Sequence, residues 1–377
     1  MSPTPNTPFK LSRRHVLLGL TASTILSACV ETSDELITLQ STREKTDPLG
    51  SLRFSANADA TTWARHLDVS RLINKPQILA LSGGGEDGAF GAGALAGWSQ
   101  TGNRPDFDIV TGVSTGALIA PMAFVGAEGD NALLHMFLDN GADDIMRFRW
   151  LSAATSDGIY DTTPLAELIA LYTPDSFLEA VAAKHDAGGR LFVVTANLST
   201  SDAVVWNMGA IAKSKQYDLF RTVIRASGAL PGMFSPVKIN FSADGLDFAE
   251  THVDGGVQMQ VLATPPAAFA VQSDAARGGS AYVIVNNTLD PAPQVSSGTV
   301  LGISQQAMTA MVRSSAASSI NTARLLAHEH GLNFAVTSVS PDSGVVYDPS
   351  DRFSPTYMAA LYEHGFERAA SGALWEA

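Results

Sequence analysis

Cysteine is almost missing from this chain of 377 residues, with Cys29 the only one. No internal disulfide can form, so stability must come from core burial. Basic residues are scarce too: 24 Lys and Arg stand against 37 Asp and Glu, giving a net charge of -13. A polyanion is repelled by nucleic acid and by anionic lipid surfaces, which argues against electrostatic binding to either. The N-terminal apolar stretch Val16 to Leu26 is too short to span a bilayer comfortably, and Thr21, Ser23 and Thr24 interrupt it. There is no internal repeat and no low-complexity block. No Gly-Lys-Ser or Gly-Lys-Thr follows the glycine-rich segments, so a phosphate-binding P-loop is absent. What is present is a 45% hydrophobic composition with 16% charged residues, enough for one large, well-packed globule beyond Cys29.

The first residues read as a leader. Lys10, Arg13 and Arg14 precede the apolar stretch, and Leu26-Ser27-Ala28-Cys29 closes it. This order resembles a bacterial lipoprotein signal over residues 1–28, in which the Cys29 thiol is acylated and the peptide is cut ahead of it. An ordinary secretory signal ending near Ala28 is the alternative. Ser12-Arg13-Arg14-His15-Val16-Leu17 also resembles a twin-arginine export signal. Loss of the three leader cations takes the net charge from -13 to about -16. The expected location is the bacterial cell envelope, on the periplasmic face of a membrane, with the lipid on Cys29 as the anchor.

Residues 29–75 mix Thr, Ser, Asp, Glu and Arg without a sustained period, which suits a tether and an N-terminal embellishment. From Pro76 the pattern changes, and residues 76–377 form the expected catalytic domain. Gln77 to Leu81 is a short apolar run closed by glycines, as in a strand buried on both faces, and alanine-rich Phe90 to Ser99 reads as the following helix. Phe107 to Thr111 and Ala117 to Val125 repeat the arrangement. Further strands are expected at Leu191 to Ala196, Ala281 to Val285 and Phe334 to Val339. Helices are expected at Leu165 to Leu171, capped by Thr163 and Pro164, at Leu219 to Ser227, and at Val300 to His330 with a break near Ser314 to Ser319. Strand, glycine turn, helix, repeated, implies an α/β fold with a mostly parallel central sheet flanked by helices.

Three segments carry chemistry. Gly112-Val113-Ser114-Thr115-Gly116 reads as a nucleophile elbow, because a sharp strand-to-helix turn exposes the serine and small neighbours permit the turn. Ser114 would sit at a helix N-terminus, where the dipole favours developing negative charge. Gly83-Gly84-Gly85 leaves backbone N–H groups bare at the end of the first strand, as an oxyanion hole requires. Asp254, in His252-Val253-Asp254-Gly255-Gly256-Val257, is the strongest candidate base, although Asp-Gly-Gly by itself is also a plain turn. Gly83 to Gly88 satisfies a dinucleotide-binding glycine pattern as well. The second strand ends in Gly112-Val113-Ser114 rather than an acid for a ribose, which argues against a nucleotide.

The ordered set Gly83-Gly84-Gly85, Gly112 to Gly116 and Asp254-Gly255-Gly256 resembles the patatin-like phospholipase family. Gly158-Ile159-Tyr160-Asp161 and the stretch Ala226 to Val237 agree, and the similarity runs from about Gln77 to Gly256. The resemblance implies a patatin-like three-layer sandwich related to α/β hydrolases, with a Ser114-Asp254 dyad and with Gly83, Gly84 and Gly85 around the oxyanion. It implies an acyl lipid or phospholipid substrate and no metal or other cofactor. One departure stands out: the family's glycine loop often carries Arg or Lys before its last glycine, where this chain has Asp87 after Glu86. Both acids are expected to face solvent. If they pointed inward, the chain would suit a catalytically weak lipoprotein that binds lipid or a partner protein. A third reading is a Ser-His-Asp esterase drawing on His252, His328, His330 or His364. His328-Glu329-His330 is a weak metal signal without a third ligand.

Overall fold

Strands that are apolar on both faces must be covered on both faces, and this requirement organises the molecule. The structure is a computed structural model that describes residues 47–67, 75–148, 159–243, 246–263, 278–289, 300–348 and 351–376. Cys29, the leader and most of the proposed tether lie outside the described residues.

One nine-stranded sheet comprises β1 (Arg53–Ser55), β2 (Gln77–Leu81), β3 (Ile109–Val113), β4 (Arg190–Asn197), β5 (Asp202–Asn207), β6 (Val237–Ala243), β7 (Leu246–Asp254), β8 (Ser280–Val285) and β9 (Asn333–Ser338). The spatial order is β1-β5-β4-β3-β2-β8-β9, and the β6-β7 hairpin joins through β7, which pairs with β4. Strands β9, β8, β2, β3 and β4 run parallel. The pairings of β1 with β5, β5 with β4, and β7 with β4 are antiparallel.

The main helices are α1 (Ala60–Leu67), α2 (Gly88–Gln100), α3 (Thr115–Val125), α4 (Asp130–Leu138), α5 (Thr163–Tyr172), α6 (Asp175–Asp186), α7 (Met208–Lys213), α8 (Tyr217–Ser227), α9 (Val300–Glu329) and α10 (Pro355–Ala370). Side chains alternate across a strand, and here alternate residues enter different cores. Leu79, Leu81, Val110, Leu191 and Val193 pack with Phe90 of α2, Ile119 and Phe124 of α3 and Phe220 of α8. Ile78, Ile109, Phe192 and Val194 face the opposite way, with Trp63 of α1 and Ala327 of α9. Ala80, Val283 and Val285 join Ile320 and Ala323 of α9 in a third cluster. Helices on both faces of a mostly parallel sheet make the three-layer α/β architecture expected from the sequence.

Two differences are instructive. Helix α9 passes unbroken through Ser314 to Ser319, because Ala316, Ile320, Ala323 and Ala327 fall at helical spacing on a buried face. Packing of that face outweighs the weak helix propensity of the serines. The sequence also offers no strong signal for β1 or for the β6-β7 hairpin. Strand β1 lies in the segment read as an N-terminal embellishment, and it extends the sheet by pairing Arg53, Phe54 and Ser55 with Trp206, Val205 and Val204. Among the described residues, no helix is long and apolar enough to cross a membrane.

Candidate active site

Parallel pairing of β2 with β3 brings Leu81 opposite Gly112, so the loops leaving the two strands are neighbours. One of those loops holds Gly83, Gly84 and Gly85, and the other is the turn at Ser114. Strand β7 pairs with β4 along the edge that β3 uses, just beyond the Val113–Val194 pair, and there Asp254 stands opposite Thr195. The topology thus gathers all three segments singled out in the sequence.

Ser114 has φ 55 and ψ -124, a conformation that a residue with a Cβ seldom adopts. Such a residue stores on the order of 1 to 3 kcal/mol and persists only where its surroundings enforce it. The enforcement is visible. The Ser114 N–H donates to the Ser227 hydroxyl at 2.9 Å, and that hydroxyl donates to the Val194 carbonyl at 2.7 Å. The Ser114 carbonyl accepts from the Ala117 N–H at 2.8 Å, starting α3. A Cβ on Gly116 would lie 2.4 Å from the Leu81 carbonyl oxygen, so only glycine lets α3 begin this close to β2.

Asp254 is buried at 3% exposure and accepts a hydrogen bond from the Gly256 N–H at 2.7 Å. It also accepts one from the Ser114 side chain. Burial pushes its carboxyl up to about 6, against the opposing pull of those two donors. At neutral pH it is therefore an ionised, desolvated carboxylate touching the Ser114 hydroxyl, which is what a general base requires.

The glycine loop is held from several directions. The Asn286 side chain donates to the Ser82 carbonyl at 2.8 Å, and the Asn286 N–H donates to the Ser82 hydroxyl at 2.8 Å. The Gly83 N–H points at the Gln260 carbonyl at a long 3.4 Å. Neither Asn286 nor Gln260 carries a local sequence signal.

Glu86 is buried and Asp87 half-buried, each held by partners, where both are expected from the sequence to face solvent. Glu86 is 3% exposed and accepts from the Phe353 N–H at 2.9 Å and the Arg352 Nε at 3.3 Å. Asp87 accepts from the Tyr357 hydroxyl at 2.7 Å, and burial pushes its carboxyl up to about 7. The reason is tertiary: the segment entering α10 covers the start of α2. Arg352 thereby brings a cation to the loop, with one terminal nitrogen 3.8 Å from where a Cβ on Gly85 would stand.

His252 shares β7 with Asp254, but both of its ring nitrogens are committed. Thr195 Oγ1 accepts from the Trp206 indole at 2.8 Å, which leaves its hydrogen for His252 Nδ1 at 2.9 Å. His252 Nε2 then carries the proton and donates to Glu250 at 3.2 Å. Arg53 pairs with the same carboxylate and helps hold it down to about 2 against its burial. Burial also lowers the His252 pKa, in keeping with a neutral ring. His364 lies on α10 beside Phe90, at a ring separation of 5.9 Å. His328 stands in the last turn of α9, and His330 follows that helix. No group of three His, Cys, Asp or Glu side chains suited to a metal occurs among the described residues.

The family model for patatin-like phospholipases matches residues 79–268. No curated protein sequence matches the chain. Among solved structures, VipD from Legionella pneumophila is 14% identical at a TM-score of 0.37, over 79% of this chain and 66% of that one. The type III effector protein ExoU is 14% identical at a TM-score of 0.23, over 79% of this chain and 53% of that one. The alignment thus spans slightly under two thirds of VipD and about half of ExoU.

Proposed function

This chain belongs to the patatin-like phospholipase family, and from that premise we propose that it is a lipid acyl hydrolase cleaving carboxylic esters of phospholipids or similar acyl lipids. The observation that carries the reading is Ser114, held in a strained turn with its side chain hydrogen-bonded to buried Asp254.

In the proposed reaction, the Ser114 hydroxyl attacks the acyl carbonyl while Asp254 takes its proton. Gly84 and Gly85 offer their N–H groups to the oxygen that becomes negative, and the N-terminus of α3 adds its dipole. Gly83 contributes chiefly shape, since its own N–H is turned towards Gln260. Collapse returns the proton from Asp254 to the departing alcohol and leaves an acyl-serine. Water then attacks that ester, with Asp254 again accepting a proton, and Ser114 is released.

The reading as a weak binder drew on Glu86 and Asp87. Their side chains are engaged by Arg352, Phe353 and Tyr357, and Arg352 offsets the Glu86 charge, which supports catalysis over binding alone. The sequence order around Cys29 supports a lipid anchor on the periplasmic face of the bacterial envelope, after twin-arginine export.

The test is hydrolysis of a panel of acyl esters and phospholipids by the full chain, alongside Ser114→Ala and labelling by a fluorophosphonate. Rapid labelling and turnover that both vanish in Ser114→Ala are expected. Full activity in Ser114→Ala overturns the mechanism. For the anchor, Cys29→Ser is expected to move the protein from the membrane to the soluble fraction, and continued membrane retention overturns lipidation.

A further inference from the structure

The Gln260 side chain takes no part in the proposed acylation. The residue follows the Asp254-Gly255-Gly256 turn and is 8% exposed. Its carboxamide lies between two of the catalytic segments. A Cβ on Gly83 would stand 2.8 Å from Gln260 Oε1 and 3.0 Å from the Ser114 Cβ. A Cβ on Gly256 would stand 2.4 Å from the same Oε1 and 3.0 Å from Asp254 Oδ1. Both positions are glycine, and one amide oxygen occupies the space that their side chains would take. That oxygen therefore sits beside the nucleophile on one flank and beside the base on the other.

Gln260 Oε1 is buried and has no hydrogen-bond donor among the described residues. A buried acceptor without a donor is costly, so its retention calls for a donor that the described residues do not supply. The proposed reaction contains such a donor. In acylation, Ser114 has one hydrogen to give, and it goes to Asp254. In deacylation, the attacking water has two.

Resting on the acyl-serine reading above, we propose that Gln260 is a positioning residue for deacylation, its Oε1 accepting the second hydrogen of the attacking water. The water oxygen bonds to the acyl carbon while one proton passes to Asp254, and the other stays on that oxygen, directed at Gln260 Oε1. The carbonyl electron pair moves to the oxyanion. Its return breaks the bond from carbon to Ser114 Oγ, which takes the proton from Asp254, and a carboxylic acid departs. Gln260 neither gains nor loses a proton. It fixes the water between two acceptors, which aims the lone pair at carbon.

Methanol separates this role from a structural one, because it has a single O–H hydrogen, which Asp254 takes, and nothing left to donate to Gln260. The experiment follows p-nitrophenyl butyrate with the full chain in water containing methanol, measuring butyrate and methyl butyrate as the two products of one acyl-serine. In Gln260→Met, which keeps the length of the side chain but lacks the amide, hydrolysis is expected to slow about tenfold with methanolysis nearly unchanged. The product ratio then shifts about tenfold towards methyl butyrate. Gln260→Glu keeps an acceptor and is expected to restore the wild-type ratio. Should Gln260→Met fail to fold, Gln260→Ala is read in the same way with the same expectation. An unchanged ratio in the folded variant, even with both rates reduced, overturns the proposal while leaving the acyl-serine reading intact. Absence of both products from the wild-type chain overturns that reading and this one together.

Discussion

The Ser227 hydroxyl accepts the Ser114 backbone N–H at 2.9 Å and passes its own hydrogen to the Val194 carbonyl at 2.7 Å. A residue of α8 thus pins the strained turn between β3 and α3 to strand β4. The nucleophile's geometry is held by a side chain 113 positions away, not by the glycines around it alone.

Ser227→Ala is expected to leave the Ser114 N–H without that acceptor, at a cost of about 1 to 3 kcal/mol. The strained turn relaxes more readily in consequence. Fluorophosphonate labelling should slow at least tenfold while the fold persists, as checked by labelling rate and thermal unfolding. Wild-type labelling would mean that the glycines suffice.

Asp254 links activity to stability with a definite sign. Its folded carboxyl is raised to about 6, against an unfolded value near 4. A raised group contributes fully below the unfolded value, and its contribution is lost as pH climbs through about 6. Asp254→Asn should therefore abolish ester hydrolysis yet stabilise the protein at pH 8, by on the order of 2 kcal/mol. Wild-type kcat/KM should fall below about pH 6 as the base becomes protonated. Thermal unfolding and a pH profile check both; destabilisation by Asp254→Asn at pH 8 would contradict the assignment.

Arg352 offsets buried Glu86 from a position that is 30% exposed. Arg352→Met should destabilise by about 1 to 3 kcal/mol, less than the roughly 3 to 5 kcal/mol for stranding a charge in a fully buried pair, because solvent screens this pair in part. Adding Glu86→Gln should recover most of the loss. A double-mutant cycle by chemical denaturation reads the coupling, and additive effects would reject it.

His252 gives a contrasting expectation. His252→Leu removes ring hydrogen bonds to Thr195 and Glu250, so it should lower the melting temperature. Ester hydrolysis per folded molecule should stay within about threefold of wild type, since the proposed base is Asp254. Loss of kcat by a hundredfold or more, with the fold intact, would restore a histidine triad.

Much of this was legible locally. Glycine-bounded apolar runs marked β2 and β3, and the turn chemistry around Ser114 and Asp254 marked the three segments before any fold was known. The serines from Ser314 to Ser319 point to a break in α9 because helix propensity is local, whereas the buried face from Ala316 to Ala327 that keeps it whole is set by packing. Charge alone points Glu86 and Asp87 to solvent, and the partners that hold them, Arg352, Phe353 and Tyr357, lie far along the chain. Ser227 lies within the stretch Ala226 to Val237 that carries the family resemblance, yet its hydrogen bond to Ser114 has no counterpart in spacing.

By itself, then, the sequence determined the nucleophile candidate, the glycine loop, the candidate base and the two-faced strands of a parallel sheet. Each depends on residues within one turn or one strand, where backbone sterics and side-chain alternation act over a few positions. Only tertiary structure decided that Arg352 offsets Glu86, that Phe353 reaches the same carboxylate across 267 positions, and that Gln260 fills the space beside Gly83 and Gly256. Those contacts follow from strand order and from the packing of α10 over α2, which no local pattern of residues specifies.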